Sequence, residues 1–93
     1  LGDDGHTASW PPGDPVIDVR DEDVAITQPY RGRVRMTLTV PAVNRARDVM
    51  FLAAGDGKRE MVRRLVTGDR SIPASHVRPD ATVLVDDAAA SAP

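Results

Sequence analysis

Two short stretches of this 93-residue chain carry side chains able to do chemistry. In Asp3-Asp4-Gly5-His6-Thr7-Ala8-Ser9 a histidine stands beside carboxylates in a glycine-containing turn. An imidazole with an unperturbed pKa of about 6.5 suits proton transfer from water at neutral pH, and a neighbouring carboxylate can orient its ring. His6 is therefore the candidate base, although a bare Asp-Gly-His pattern also describes an inert surface histidine. In Gly55-Asp56-Gly57-Lys58, flexible glycines and free N–H groups at a predicted helix start, joined by an ammonium, suit an anion such as phosphate. Lys58 is the only lysine among twelve basic residues, as expected where a compact point charge is needed. The alternative is a solvated first-turn residue. A Walker A loop is excluded: it needs a glycine five positions before its Gly-Lys pair and a hydroxyl residue after, where this chain has Leu52 and Arg59.

Other candidates are weaker. Arg35 shares a predicted strand face with Thr37 and Thr39, where a guanidinium could grip a phosphate or carboxylate, or simply pair with one of the many aspartates. Asp86-Asp87 is accounted for by a helix start rather than a metal. His76 has no chemically useful neighbours and reads as a surface residue. With no cysteine, and two histidines about seventy positions apart, thiolate zinc sites, disulfides and thiol nucleophiles drop out. A reduced, cytoplasmic, metal-free protein is expected. The net charge is −2 and the basic residues are interspersed with acidic ones, so nucleic acid is not an expected partner. No apolar run approaches the roughly 20 residues that span a bilayer, so no membrane partner is expected either.

The elements that must position these groups follow from periodicity. Residues 2–23 are rich in Gly, Pro and Asp and read as a long ordered loop with a helical turn. Val24 to Thr27 is a short β-branched strand, punctuated by Gln28-Pro29-Tyr30-Arg31-Gly32 as a turn. Residues 34–40 alternate strictly, which predicts a strand with Val34, Met36, Leu38 and Val40 on the apolar face and Arg35, Thr37 and Thr39 on the other. Pro41 opens a short helix. Residues 49–54 are continuously apolar, the pattern of a strand buried on both faces of a parallel sheet. Lys58 to Thr67 shows helical spacing stopped by Gly68, and Ile72 to Ser75 is a turn or short helix. Thr82 to Val85 is a last strand, and Asp86 caps the Ala-rich tail. Strand, helix, strand, helix, strand predicts an α/β fold with an open, mostly parallel sheet and flanking helices.

Twelve alanines and twelve valines make the available core side chains small, and a chain this short buries only about 60–65% of its unfolded surface. Together with a turn-rich polar cluster at the first residues, this reads as a fragment of a larger domain.

Leu1-Gly2-Asp3-Asp4-Gly5-His6-Thr7-Ala8-Ser9, followed by Pro12-Gly13, resembles the Asp-Gly-His-Thr-Ala-Ser signature of the 6-phosphogluconolactonases, within the group that includes the glucosamine-6-phosphate deaminases. Arg35-Met36-Thr37-Leu38-Thr39 with Pro41-Ala42 and Asn44 is similar to the family's Arg-x-Thr-Leu-Thr strand and following helix. Phe51-Leu52 through Gly55 and Lys58 is similar to its strand-loop segment, and Pro73-Ala74, Val77, Asp86 and Ala88-Ala89 to its closing segment.

The resemblance implies about the C-terminal two-fifths of a single sugar-phosphate isomerase/lactonase-type domain, with the N-terminal half missing. It also implies hydrolysis of 6-phosphogluconolactone to 6-phosphogluconate without metal or organic cofactor. By position, His6 would activate water and Asp4 would hold the imidazole. Lys58 and Arg35 would bind the anionic end of the substrate, with Gly5 beside them. Trp10 and Pro11 stand where the family usually has Leu and Phe, and Arg59 where a small residue is common. Two alternatives stay open: an isomerase or deaminase, which is expected to carry an Asn-Glu-Pro type segment where this chain reads Ser9-Trp10-Pro11-Pro12, and a non-catalytic phosphosugar-binding module.

Overall fold

The β-branched run at Val24 and the alternating segment after it pair with each other. In the computed structural model, which describes residues 1–90, strand β1 (Val24–Ile26) lies antiparallel to β2 (Met36–Leu38), with Val24 opposite Leu38 and Ile26 opposite Met36. The hairpin closes where Tyr30 and Arg33 exchange backbone hydrogen bonds of 2.8 and 3.1 Å, with Arg31 and Gly32 at φ values of 51° and 79°. Two consecutive positive φ values are what a type I′ turn requires, and glycine takes the second without strain.

β2 buries the face opposite to the one its alternation predicts. Thr37 is buried and Thr39 is 0% exposed, whereas Val34 and Leu38 face outward and Met36 is 74% exposed. Hydrogen bonding decides this. Thr37 Oγ1 accepts the Ser9 N–H at 3.1 Å and donates to the Leu38 carbonyl, while Thr39 Oγ1 donates to the Glu22 carbonyl at 2.7 Å. The loops on that side need partners for their backbone groups, and a buried hydroxyl with its roles filled costs little. Helix α1 (Val40–Asn44) then carries Pro41 in its first turn, as expected, with Thr39 as its N-cap.

β3 (Met50–Ala53) runs parallel to β4 (Thr82–Val85), with Met50 opposite Thr82 and Ala53 opposite Val85. Between them lies α2 (Arg59–Val66), preceded by a 3-10 turn at Asp56–Lys58. This strand-helix-strand unit matches the expectation, but two features differ. The described residues form two two-stranded ladders, one antiparallel and one parallel, rather than one open, mostly parallel sheet. The apolar run is also covered on one face only: Phe51 and Ala53 are buried, whereas Met50 and Leu52 are exposed. A continuous apolar run specifies two buried faces only when there is chain on both sides, and the described residues supply one.

The core gathers Trp10, Val16, Val40, Phe51, Ile72, Ala74 and Val77, with a second cluster of Ala53, Val62 and Ala89. Helix α3 (Asp87–Ala90) is capped by Asp86, whose carboxylate accepts the Ala89 N–H at 2.9 Å and the Gly55 N–H at 3.0 Å. The long first loop is ordered by buried polar anchors. Trp10 is fully buried and donates its indole N–H to the Leu38 carbonyl at 2.7 Å. The buried Asp14 caps the 3-10 turn Pro15–Asp18 through Val16 N–H at 2.9 Å and ties it to the hairpin through Gln28 N–H at 2.9 Å. No described helix is long and apolar enough to cross a membrane.

Candidate functional site

Glycines set the turn that carries His6. Gly2 N–H donates to the His6 carbonyl at 2.7 Å and Gly5 N–H to the Gly2 carbonyl at 3.1 Å, folding residues 2–6 onto themselves. Gly5 sits at φ 87°, and a Cβ there would stand 2.6 Å from Ile72 Cβ. Its carbonyl is occupied by the Ala74 N–H at 3.0 Å. Conformation and packing each call for glycine at this position.

Asp4 turns its carboxylate back over this loop and divides its two oxygens. Oδ1 accepts the His6 backbone N–H at 3.1 Å and lies 2.6 Å from His6 Nδ1. Oδ2 accepts the Tyr30 hydroxyl, and Arg31 approaches the same oxygen at 3.8 Å. Burial opposes ionisation of Asp4, but the hydrogen bonds from Tyr30 and His6 outweigh it and hold the carboxyl well below the usual carboxylate range. The same bond to Asp4, with burial, pushes the Tyr30 phenol above its ordinary value. A carboxylate at Nδ1 keeps the proton there, which leaves Nε2 as the acceptor. Among the described residues no protein group bonds Nε2.

His6 opens onto a cleft of about 100 Å³ walled by Ala8, Ser9, Trp10, Pro11, Tyr30, Arg31 and Arg35. The β1–β2 hairpin delivers the last three. The Arg31 and Arg35 guanidiniums lie 5.1 and 5.8 Å from the Tyr30 ring centroid, and the ring meets His6 edge-on at 5.9 Å. Among the described residues Arg35 has no carboxylate partner, so the expectation of a structural salt bridge there is not met. A guanidinium beside His6 with no carboxylate partner is available to an anion.

Lys58 is placed differently. Its ammonium donates to the Leu1 carbonyl at 2.7 Å and does not wall the cleft. It reaches His6 through the backbone: Leu1 precedes Gly2, and a Cβ on Gly2 would come within 2.1 Å of His6 Nδ1. The loop before Lys58 also lacks one of the free donors expected of it, because Gly55 N–H is taken by Asp86. His76, expected at the surface, is half-buried: its carbonyl accepts Asn44 Nδ2 at 3.0 Å, and burial and Arg70 lower its pKa. It is not part of the cleft. Among the described residues no cluster suits a metal ion.

The structure adds Tyr30 and Arg31 to the residues singled out by spacing. The signal was present but faint: the only tyrosine of the chain stands in a predicted turn, followed by three arginines within five positions.

The family model described as glucosamine-6-phosphate isomerases/6-phosphogluconolactonase matches residues 1–85. The 6-phosphogluconolactonase of Rattus norvegicus is 38% identical over 96 residues, covering 97% of this chain and 37% of the rat protein. That of Synechocystis is 36% identical over 87 residues, covering 90% of this chain and 36% of its own length. Among solved structures, the 6-phosphogluconolactonase of Trypanosoma brucei superposes with a TM-score of 0.79 at 29% identity, covering 97% of this chain and 38% of that one. The chain therefore spans less than two-fifths of the length of these three relatives.

Proposed function

Because the chain belongs to the glucosamine-6-phosphate isomerase/6-phosphogluconolactonase family, we propose that it is the base-bearing portion of a lactone hydrolase acting on 6-phosphogluconolactone. In this reading His6 Nε2 takes a proton from water as the oxygen bonds to the lactone carbonyl carbon. The tetrahedral intermediate then expels the ring oxygen, which recovers the proton from the imidazolium, leaving the open-chain acid. Asp4 orients the ring and stabilises its positive charge, and Arg35 receives an anionic group of the substrate. Lys58 joins Arg35 in holding the phosphate once the Leu1 carbonyl yields it. Remote binding of a dianionic phosphate supplies the orientation that a small lactone ring cannot supply itself.

The observation that carries the reading is the 2.6 Å Asp4 Oδ1–His6 Nδ1 contact at the wall of a cleft shared with an unpaired Arg35. Among the described residues no carboxylate lines the cleft, since Asp4 stands behind it on the Nδ1 side of His6, and Trp10 and Pro11 fill the stretch where ring opening would call for one. That favours water attack over isomerisation. The exposed apolar faces of β2 and β3 support a further part of the reading, that these residues are about the last two-fifths of a single domain whose remainder packs on Met36, Leu38, Met50 and Leu52.

The test is hydrolysis of freshly generated 6-phosphogluconolactone by the complete gene product, corrected for spontaneous hydrolysis. His6→Ala should lower kcat by at least about 100-fold while leaving substrate binding intact. Wild-type turnover in that variant would remove His6 from the mechanism.

A further inference from the structure

The Asp4–His6 pair is held from outside by a third residue. Asp4 is a short side chain on a glycine-flanked turn, and its Oδ2 has no backbone partner; the hydrogen bond it accepts at that oxygen comes from the Tyr30 hydroxyl. Tyr30 is presented by the tip of a hairpin that is pinned at both ends. Its own N–H and carbonyl are bonded to Arg33, and further down Thr27 N–H donates to the Arg35 carbonyl at 2.8 Å while Arg35 N–H donates to Thr27 Oγ1 at 3.0 Å. The other wall is also fixed, because Ser9 N–H and the Trp10 indole bind the β2 side of the same hairpin. The hairpin therefore fixes the backbone from which the phenol reaches Asp4, and Asp4 cannot rotate away from His6 without losing the phenol.

We propose that Tyr30 is a positioning residue whose hydroxyl locks the Asp4 carboxylate, so that His6 carries its proton on Nδ1 and shows a bare Nε2 to the cleft. The chemistry follows from the acceptor inventory. A carboxylate freed at one oxygen swings about its side-chain bonds, and an imidazole without a fixed acceptor populates both tautomers. Only one tautomer can take a proton from a water in the cleft. The Tyr30 ring also lies beneath Arg31 and Arg35, so a variant that keeps the ring and removes the hydroxyl isolates the lock from the platform. The consequence for turnover rests on the lactone-hydrolase reading; the consequence for the tautomer does not.

The experiment compares wild type with Tyr30→Phe in the complete gene product, by 15N NMR of the His6 ring, read at the alkaline plateau of its own pH series. The His6 resonances are assigned by their loss in His6→Ala. In wild type Nδ1 should carry the proton. In Tyr30→Phe the Nε2–H form should appear, and kcat for lactone hydrolysis should fall about tenfold with KM unchanged. An unchanged tautomer in Tyr30→Phe overturns the proposal, even if kcat falls, because that loss would then be structural. If His6→Ala retains turnover, the hydrolase reading fails while the tautomer measurement still decides the role of Tyr30.

Discussion

The Nδ1–Cε1 edge of the His6 imidazole rests against the backbone of Gly2: a Cβ added at Gly2 would stand 2.1 Å from Nδ1 and 2.2 Å from Cε1. The ring thus has a floor as well as an acid partner. Gly2→Ala should push the ring off Asp4, with turnover falling on the order of 100-fold, since a displacement of about 1 Å at a reacting group has that effect. The clash falls on the far end of a rotatable side chain, so the denaturation midpoint should hardly move. A variant that keeps full activity would show that the ring does not work from this position.

Gly5 offers the contrasting case. Gly5→Ala forces a left-handed backbone and a clash with the branched Ile72 side chain, at a cost of about 2–4 kcal/mol. Urea denaturation should register this loss, while KM of the fraction that stays folded should be unchanged. A raised KM with unchanged stability would instead make Gly5 a substrate contact.

Lys58→Ala separates the two uses of the ammonium. If the lysine binds phosphate, KM should rise about tenfold or more while kcat stays within about twofold. A fall in kcat at constant KM would mean that the bond to the Leu1 carbonyl, and through it the Gly2 floor, is the whole of its contribution.

The Asp4–Tyr30 bond gives stability two pH edges. Asp4 has a folded pKa below its unfolded value, so its contribution is complete above about pH 4 and is lost as the pH falls through the lower folded value. Tyr30 has a folded pKa above its unfolded value, so its contribution is complete below about pH 10 and is lost as the pH rises through the higher one. Denaturant stability measured against pH should show both edges. Asp4→Asn should flatten the acid edge and Tyr30→Phe the alkaline one; an acid edge unchanged in Asp4→Asn would place the titrating carboxylate elsewhere.

Local chemistry was legible in the sequence wherever it depends on near neighbours. Asp4 and His6 are two residues apart, so the turn that joins them was readable from glycines and residue types alone. The same holds for the Asp86 cap, the Pro73–His76 turn and the extent of α2. The strand-helix-strand unit ending in β4 also followed from hydrophobic periodicity, because an amphipathic helix between two apolar runs leaves few other packings.

Tertiary structure decided what depends on partners distant in sequence. Alternation at 34–40 showed that β2 has two faces, but not which one the chain would bury; the backbone donors of Ser9 and the Trp10 indole chose the threonine face, across twenty-eight positions. A similar separation hid Tyr30, which lies twenty-six residues from the carboxylate it holds. Periodicity is a property of one segment, whereas burial and hydrogen-bond partnership are properties of a pair. The residue types and turns of the loop that carries Asp4 and His6 were therefore written locally, and the walls of the cleft were settled only when the hairpin folded over it.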